Sequence, residues 1–443
     1  MKSKKVMGII LAATMAAGLT GCGGSSGSGS SSEGGSDAAQ DAPEGSKTVS
    51  VLTCWDENSD NTQILVEATN RYNETNPETP IHLQLEVVAQ DSMNQKLSVL
   101  AASNDLPDVF CTGTQEYIET YVEQGWLKSI DEVMNDFGAE DALAAEKRTA
   151  LLDLTKQEAL YVLPCDQSIE GIWYNTELFE QYDLEVPETM DDFMEVCETL
   201  LENDVQPMVC PGKEKWPITR LIGSYATMAG GVDALVDANN GDLSWGDDVF
   251  LQAYSWLAEM GEKGCFGQGV TTVDTNTANS LFLSGKAAMY YNGSWFTSNL
   301  NSEENQIDEN VGMFAFPTVD GGKGEANTFT TSYGMYWCFN SGAYDDAEGE
   351  WMAYLLKNYG DVAMELQGRL TAYTLSSEPE VDYYTNVVLE AQEKQTGSGV
   401  WPEYAMVTSV QDAEYSNAQM LILNQITPEA YGEAMDAAMS SAQ

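Results

Sequence analysis

From Thr48 onwards, short apolar runs alternate with segments whose apolar residues recur at the helical period. The strand-like runs cover residues 49–54, 81–87 and 107–110, and the helical patterns after them cover residues 64–72, 93–101 and 117–122. This alternation predicts a mainly parallel sheet with helices packed on its faces. Ligands of such open sheets bind beyond the carboxyl ends of the strands, which here are Trp55-Asp56-Glu57-Asn58 and residues 111–115.

A second α/β region follows residues 159–175, in which two extended segments flank Cys165-Asp166-Gln167 and are suited to carry the chain from one lobe into another. Helical patterns then cover residues 190–201, 218–228, 249–263 and 280–284. Gly285 is expected to end the last of these helices before a buried strand at residues 287–291. The part of the chain beyond residue 47 is too long for a single core, so two lobes are expected.

The N-terminus has the pattern of a secretory signal. Lysines at positions 2, 4 and 5 precede an apolar stretch, residues 7–17, which is shorter than the roughly 20 residues of a membrane-spanning helix. The sequence Leu19-Thr20-Gly21-Cys22 resembles the lipobox of bacterial lipoproteins, and this resemblance implies cleavage before Cys22 and diacylation of its sulfur. An ordinary signal with a chance cysteine is the alternative. Residues 23–45, rich in Gly and Ser, predict a flexible tether.

Charge and residue types exclude several function classes. The chain has 19 basic and 70 acidic residues, and loss of the three signal lysines would leave 16 − 70 = −54. Such a charge disfavours nucleic acid and anionic membranes. It could attract cations such as polyamines, but a solvated acidic surface that keeps a secreted protein soluble is the favoured explanation. The single histidine, His82, excludes imidazole zinc sites, and we expect no cofactor and no metal. The seven cysteines other than Cys22 are odd in number and predict small core residues rather than a disulfide framework.

Several short motifs, in this order, resemble the family 1 extracellular solute-binding proteins of ATP-driven sugar importers. They are Trp55-Asp56, Leu106-Pro107-Asp108-Val109, Gly125-Trp126-Leu127, Gly171-Ile172-Trp173-Tyr174-Asn175, Phe282 with Gly285-Lys286-Ala287-Ala288-Met289, Asn292-Gly293-Ser294-Trp295, and Pro317. The resemblance implies an α/β, two-lobed periplasmic-binding-protein-like fold, with a mostly parallel sheet in each lobe and crossing hinge strands between them. It also implies a monomer that holds a carbohydrate in the interlobe cleft and delivers it to permease subunits, without catalysis.

Domain boundaries follow from the patterns and the resemblance together. We expect a signal at residues 1–21, a tether at 22–47, lobe 1 at 48–163 and 313–370, lobe 2 at 164–312, and a helical segment mostly on lobe 2 at 371–443. After signal cleavage the protein would stay on the outer face of the cell membrane, anchored through Cys22.

A sugar site needs flat aromatic rings that stack on the C–H face of a pyranose, and planar carboxylates or amides that bind its hydroxyls. The candidate ligand-binding residues are Trp55, Asp56, Glu57, Asn58, Thr112, Gln115, Asp166, Trp216, Arg220, Trp295, Tyr333 and Trp401. Structural roles remain open for them. Trp295, Tyr333 and Trp401 can be core residues, Asn58 and Thr112 can cap helices, Asp166 can belong to a surface turn, and Arg220 can pair with a neighbouring acid. Trp173, Trp256, Trp337 and Trp351 are expected in the core.

Two rival functions remain. The same fold can bind a polyamine or a peptide, since polyamine sites also combine tryptophan with carboxylates. A secreted glycoside hydrolase needs only two carboxylates, which 70 acidic residues supply many times over. A calcium loop at residues 237–242 lacks the glycine and the distal glutamate in register, which favours a plain turn.

Overall fold

The computed structural model describes residues 42–113 and 115–442. Its strands are β1 (Lys47–Thr53), β2 (Ile81–Val87), β3 (Val109–Thr112), β4 (Val162–Pro164), β5 (Ser168–Asn175), β6 (Gln206–Val209), β7 (Ala287–Gly293), β8 (Val311–Phe314), β9 (Thr328–Ser332), β10 (Tyr336–Phe339) and β11 (Gly397–Gly399). The predicted signal, Cys22 and the tether up to residue 41 lie outside the described residues.

The α-helices lie between and after these strands. They are α1 (Asp60–Glu74), α2 (Gln90–Ser103), α3 (Gln115–Glu123), α4 (Ile130–Phe137), α5 (Ala145–Thr155), α6 (Thr176–Gln181), α7 (Met190–Glu202), α8 (Trp216–Gly230), α9 (Ala234–Asn240), α10 (Asp248–Glu262), α11 (Thr275–Leu283), α12 (Thr297–Leu300), α13 (Asp346–Gln367), α14 (Tyr383–Lys394), α15 (Thr408–Ile422) and α16 (Pro428–Ala442). Among the described helices, none is long and apolar enough to cross a membrane.

The first sheet has the strand order β2-β1-β3-β10-β4. β1 pairs in parallel with β2 and β3, as the alternation predicts, because each connection returns through a helix, α1 or α2. β10 joins much later in the chain and runs antiparallel to β3 and β4. The three predicted strands and the three predicted helices of this region are therefore confirmed.

The second sheet has the order β11-β9-β5-β7-β6, with β8 paired to another part of β5. β5 runs antiparallel to β7, β8 and β9, and the parallel pairs are β6 with β7 and β11 with β9. The expectation of a mostly parallel sheet is therefore wrong for the second sheet. Its central strand β5, which follows the crossing from the first sheet, runs antiparallel to all three of its neighbours. Because β8 and β9 pair here, the chain rejoins the first sheet at β10 and not at residue 313.

Two adjacent chain segments connect the sheets, which confirms the crossing strands. β4 leads through Cys165-Asp166-Gln167 into β5, and β9 returns through Tyr333, Gly334 and Met335 into β10. The two connections are joined by the hydrogen bond from Cys165 N to Met335 O, 3.2 Å. Gly334 has φ +71°, and a Cβ there would lie 3.0 Å from Asp166 Oδ1, so the close approach of the two segments requires glycine.

Each sheet packs its helices around its own hydrophobic core. Trp337 and Trp351 lie in the core of the first sheet, and Trp173 and Trp256 in the cores beside the second, as predicted. The described cysteines are buried except Cys54, which is partly exposed. β7 continues through Gly293 and leads into a 3₁₀ turn, so the turn expected at residues 292–294 begins later. Residues 237–242 end helix α9, with Gly241 left-handed.

Candidate functional site

The candidate site is a cavity of about 800 Å³ between helices of the first sheet and helices of the second. On the first side its lining comes from the start of α2, from Gly113 and Tyr117, and from Met335 in the return segment. On the second side it comes from residues 213–220, from Trp401 and Glu403, and from one face of α15. Its volume lies in the upper part of the range of about 300–1,000 Å³ typical of small-molecule sites.

The start of α8 places an aromatic ring in the cavity wall. α8 begins at Trp216, and Pro217 fits the first turn because that turn needs no N–H donor from it. The Trp216 ring meets the Trp295 ring edge to face, with centroids 6.4 Å apart and an angle of 66°. Arg220 follows one turn later on the same helix face, so its side chain reaches the same wall.

Arg220 stacks against two tryptophans. Its guanidinium carbon lies 3.8 Å from the centroid of the Trp401 ring and 5.2 Å from that of Trp216. A desolvated guanidinium over an indole face contributes about 2 kcal/mol, so this arrangement fixes the Trp401 ring in the cavity wall. Only 5% of the Arg220 residue surface is exposed.

Two carboxylates pair with Arg220 behind the rings. Arg220 Nη1 donates to Glu170, which lies in the crossing strand β5, and Nε donates to Glu403 Oε2 at 3.0 Å. Burial raises the pKa of Glu170 above its ordinary value, although Arg220 acts in the opposite direction. The buried cluster thus links β5, α8 and the segment after Trp401 by charge-assisted hydrogen bonds.

Hydroxyl groups complete this cluster. Tyr291 Oη donates to Glu170 Oε2 at 3.2 Å, and Tyr415 Oη donates to Glu403 Oε1 at 3.2 Å. Thr219 Oγ1 also donates to Glu403 Oε1, at 3.2 Å. The cavity wall is therefore held by a polar network, a condition that keeps recognition groups rigid.

Three of the predicted site residues line the cavity: Trp216, Arg220 and Trp401. Trp295 lies behind them, in contact with the Trp216 ring. These four residues come from three distant parts of the chain: the turn after β7, the start of α8, and the loop before the 3₁₀ turn Pro402–Ala405.

The four predicted residues after β1 do not line this cavity: Trp55, Asp56, Glu57 and Asn58. The Trp55 ring packs edge to face on Trp337, with centroids 5.3 Å apart. Asp56 Oδ1 accepts hydrogen bonds from Asn58 N at 2.9 Å and from Ser59 Oγ at 3.2 Å, so it closes the turn before α1. Glu57 and Asn58 are exposed and are absent from the cavity lining.

Three further candidates are buried elsewhere. Thr112 ends β3 with no exposed surface, and Tyr333 is buried in the return segment. Asp166 lies in the crossing, where its Oδ2 is 2.6 Å from Arg369 Nη2, and burial raises its pKa despite that partner. Gln115 begins α3, and its side chain lies outside the described ones.

Most polar groups of the cavity were not predicted from the sequence. They are Gln90, Asn94, Gln95, Tyr117, Lys213, Glu214, Lys215, Glu403, Thr408, Gln411, Asp412, Tyr415 and Ser416. Those on α2 and α15 resemble ordinary solvated helix faces, so the sequence carries no signal for them. Glu403 is different, because its place two residues after Trp401 and just after a proline marked the same loop.

The charge of the lining differs from that of the chain. Lys213, Lys215 and Arg220 line the cavity together with Glu214, Glu403 and Asp412, so equal numbers of basic and acidic side chains contribute to its wall. The whole chain has 19 basic and 70 acidic residues. Within the part of the chain that the structure describes, no group of three or more His, Cys, Asp or Glu side chains could hold a metal ion.

Comparisons with known proteins agree with this architecture. The model of the bacterial extracellular solute-binding protein family matches residues 56–360. The melibiose/raffinose/stachyose-binding protein MelE of Bacillus subtilis is 24% identical over 251 residues, 54% of each chain. The chain spans about half the length of the curated relatives it matches.

Solved structures show the same fold over nearly the whole chain. A chitin oligosaccharide binding protein has a TM-score of 0.79 and 23% identity, with 90% of this chain and 99% of the other covered. A solute-binding protein called RafE, solved in complex with raffinose, has a TM-score of 0.71 and 17% identity, with 89% and 99% covered. The two-lobed α/β architecture is thereby confirmed.

Proposed function

The chain belongs to the family of bacterial extracellular solute-binding proteins, and we propose that it binds a carbohydrate in the 800 Å³ cavity between its two sheets. The observation that carries this proposal is the combination of two cavity-lining indoles, Trp216 and Trp401, with polar side chains of balanced charge. MelE and the chitin oligosaccharide binding protein are both named for the sugars they bind, which supports a carbohydrate as the ligand.

The proposed binding mode uses stacking and hydroxyl hydrogen bonds. Trp401 presents its ring to the cavity while Arg220 stacks on it, so a pyranose can pack its C–H face on an indole that is already fixed. The amides of Asn94 and Gln411 and the carboxylate of Asp412 supply donors and acceptors for sugar hydroxyls from both sides of the cavity.

The charge balance argues against a polyamine. A site for a polycation needs an excess of carboxylates, whereas this lining contains three acidic and three basic side chains. A neutral, hydroxyl-rich ligand fits this balance better, because it can accept from the cations and donate to the carboxylates.

We also propose the delivery route. The family acts outside the cell, and acylation of Cys22 with a tether to residue 47 would hold a monomeric binding unit near permease subunits in the membrane. Intact-mass measurement of the membrane-extracted protein tests the anchor: we expect the mass of a chain that begins at Cys22 and carries acyl groups. The same chain without added acyl mass would contradict it.

A thermal-shift screen tests the ligand class. At about a hundredfold excess over the dissociation constant, a ligand stabilises the folded protein by about 2.7 kcal/mol, which raises the melting temperature. We expect a shift with at least one oligosaccharide of a panel and none with spermidine. A shift with spermidine alone would contradict the carbohydrate proposal, and release of reducing ends from the oligosaccharide would indicate a glycoside hydrolase instead.

A further inference from the structure

Two thiols are in contact at the carboxyl ends of neighbouring strands. Cys54 directly follows β1 and Cys111 lies in β3, and their Sγ atoms are 3.8 Å apart. Cys54 Sγ also lies 3.6 Å from the sulfur of Met335, a residue that lines the cavity. The thiol pair thus lies one side chain behind the cavity wall.

The backbone holds the two cysteines within reach of a covalent bond. β1 and β3 are paired in parallel, Val51 with Val109 and Leu52 with Phe110, and this register places Cys54 one residue beyond the position opposite Cys111. Neighbouring strands lie about 4.8 Å apart, and disulfides bridge Cα separations of about 4.4–6.8 Å. Rotation of the side chains is therefore the main change that a bond requires.

The two sulfurs have complementary properties for thiol–disulfide exchange. Cys54 is partly exposed, so a reagent can reach it, whereas Cys111 is fully buried. Burial raises the pKa of Cys111, but hydrogen bonds with Cys54, Thr53 and the backbone together leave this pKa below its ordinary value. The hydrogen bond with Cys111 and burial raise the pKa of Cys54. Exchange needs an accessible first sulfur and a second thiol close enough to attack it, and the pair offers both.

We propose that Cys54 and Cys111 are a reversible dithiol–disulfide site. The sulfur of Cys54 attacks a small disulfide RSSR; the S–S bond of RSSR breaks, and one RSH leaves with the proton of Cys54. Cys111 then loses its proton as its sulfur attacks the Cys54 sulfur and displaces the second RS group, which takes up that proton and leaves as RSH. Two thiols are oxidised to one disulfide while RSSR is reduced to two RSH. Proteins outside the cell meet such oxidants.

A second cysteine pair provides an internal comparison. Cys197 in α7 and Cys265 after α10 also share a side-chain hydrogen bond, but neither has any exposed surface. If contact between the two sulfurs were sufficient, both pairs would be oxidised at similar rates. Only the first pair has a sulfur that a reagent can reach, namely that of Cys54. We therefore expect the first pair to cross-link at least about ten times faster than the second in the folded protein.

Peptide mapping tests this site on the full chain. The reduced protein is incubated with oxidised glutathione, quenched with acid, unfolded, alkylated with iodoacetamide and digested. We expect a peptide that joins Cys54 to Cys111, alkylated Cys197, Cys265 and Cys210, and loss of the joined peptide after dithiothreitol. In Cys54→Ser, Cys111 should be alkylated, and the matched control Cys210→Ser should cross-link as the wild type does.

Three results would overturn the proposal. They are alkylation of both Cys54 and Cys111 in the wild type, glutathione retained on Cys54 without the joined peptide, and cross-linking of Cys197 with Cys265 at the same rate. Since the wild-type map needs no substitution, the test stands even if Cys54→Ser does not fold.

Discussion

At the scale of single residues, Arg220 connects the charge of the cavity wall to its aromatic surface. Lysine at this position keeps one positive charge near Glu170 and Glu403 but loses the planar stack on Trp401, 3.8 Å away. We expect Arg220→Lys to lower the free energy of unfolding by about 1–3 kcal/mol and to weaken sugar binding as well. Guanidinium denaturation and calorimetric titration measure the two effects.

Arg148 is the matched control for Arg220. It pairs with Asp131 at 2.6 Å, but 37% of its side chain is exposed. Exposed pairs contribute about 0–1 kcal/mol, so Arg148→Lys should change stability by less than about 1 kcal/mol and leave sugar binding unchanged. Equal effects of the two substitutions would show that stacking on Trp401 is unimportant.

Glu348 gives a prediction about pH. Burial raises its pKa from 4.5 to about 7, although Lys47 Nζ lies 3.0 Å away and acts against this shift. The folded state therefore binds the proton more tightly than the unfolded state, and stability falls as pH rises from about 4.5 to about 7. The expected loss is about 3 kcal/mol, and Glu348→Gln should remove this part of the decline.

Denaturation at about pH 5 and about pH 8 tests the prediction, because most of the proton release falls between these values. Glu350→Gln is the control, since Glu350 is exposed on the same helix, α13, and should keep the wild-type dependence. An unchanged pH dependence in Glu348→Gln would mean that Glu348 is already ionised at pH 5.

Residue identity predicted only part of the site. Trp216, Arg220 and Trp401 stood out because each is rare or lies beside a proline in an acidic chain, and all three line the cavity. Asn94 and Gln411 could not be found this way, because amides on a helix face are common and only the tertiary fold turns them inwards. Trp55 was predicted to bind the ligand because it follows a strand end, but its ring packs on Trp337 instead.

At the scale of secondary structure, the regular alternation before residue 125 was enough to predict β1, β2, β3 and the helices between them. Pairing between distant segments was not predictable in the same way. β9 and β10 are separated by a short connection but belong to different sheets, and local sequence patterns do not specify which sheet a strand joins.

The contact between α10 and the end of α15 requires a residue without a side chain, Gly261. A Cβ at Gly261 would lie 2.1 Å from the backbone oxygen of Ile422, which cannot move without shifting α15. We expect Gly261→Ala to lower the free energy of unfolding by about 1–3 kcal/mol, despite the better helix propensity of alanine. Chemical denaturation measures this loss.

The neighbouring Glu262→Ala is the control, because Glu262 is exposed on the same helix and also becomes alanine. It should change stability by less than about 0.5 kcal/mol. Stabilisation by Gly261→Ala would contradict the close contact between Gly261 and the backbone oxygen of Ile422.

At the scale of the whole molecule, the net charge of −51 sets a repulsion that folding must overcome. Salt screens this repulsion, since the Debye length falls from about 30 Å at 0.01 M to about 8 Å at 0.15 M. We expect the melting temperature to rise over this range of sodium chloride, as scanning calorimetry can measure. A fall would mean that attractive ion pairs such as Arg148 with Asp131 outweigh the overall repulsion.

The central claim is that a carbohydrate binds in this cavity against Trp401. Isothermal titration calorimetry of the oligosaccharide with the largest thermal shift tests it most directly, with the wild type, Trp401→Ala and the exposed control Tyr383→Ala. We predict a loss of about tenfold or more in affinity for Trp401→Ala, because a stacking contact is worth about 1.5 kcal/mol, and no change for Tyr383→Ala. Wild-type affinity in a folded Trp401→Ala protein would contradict the account.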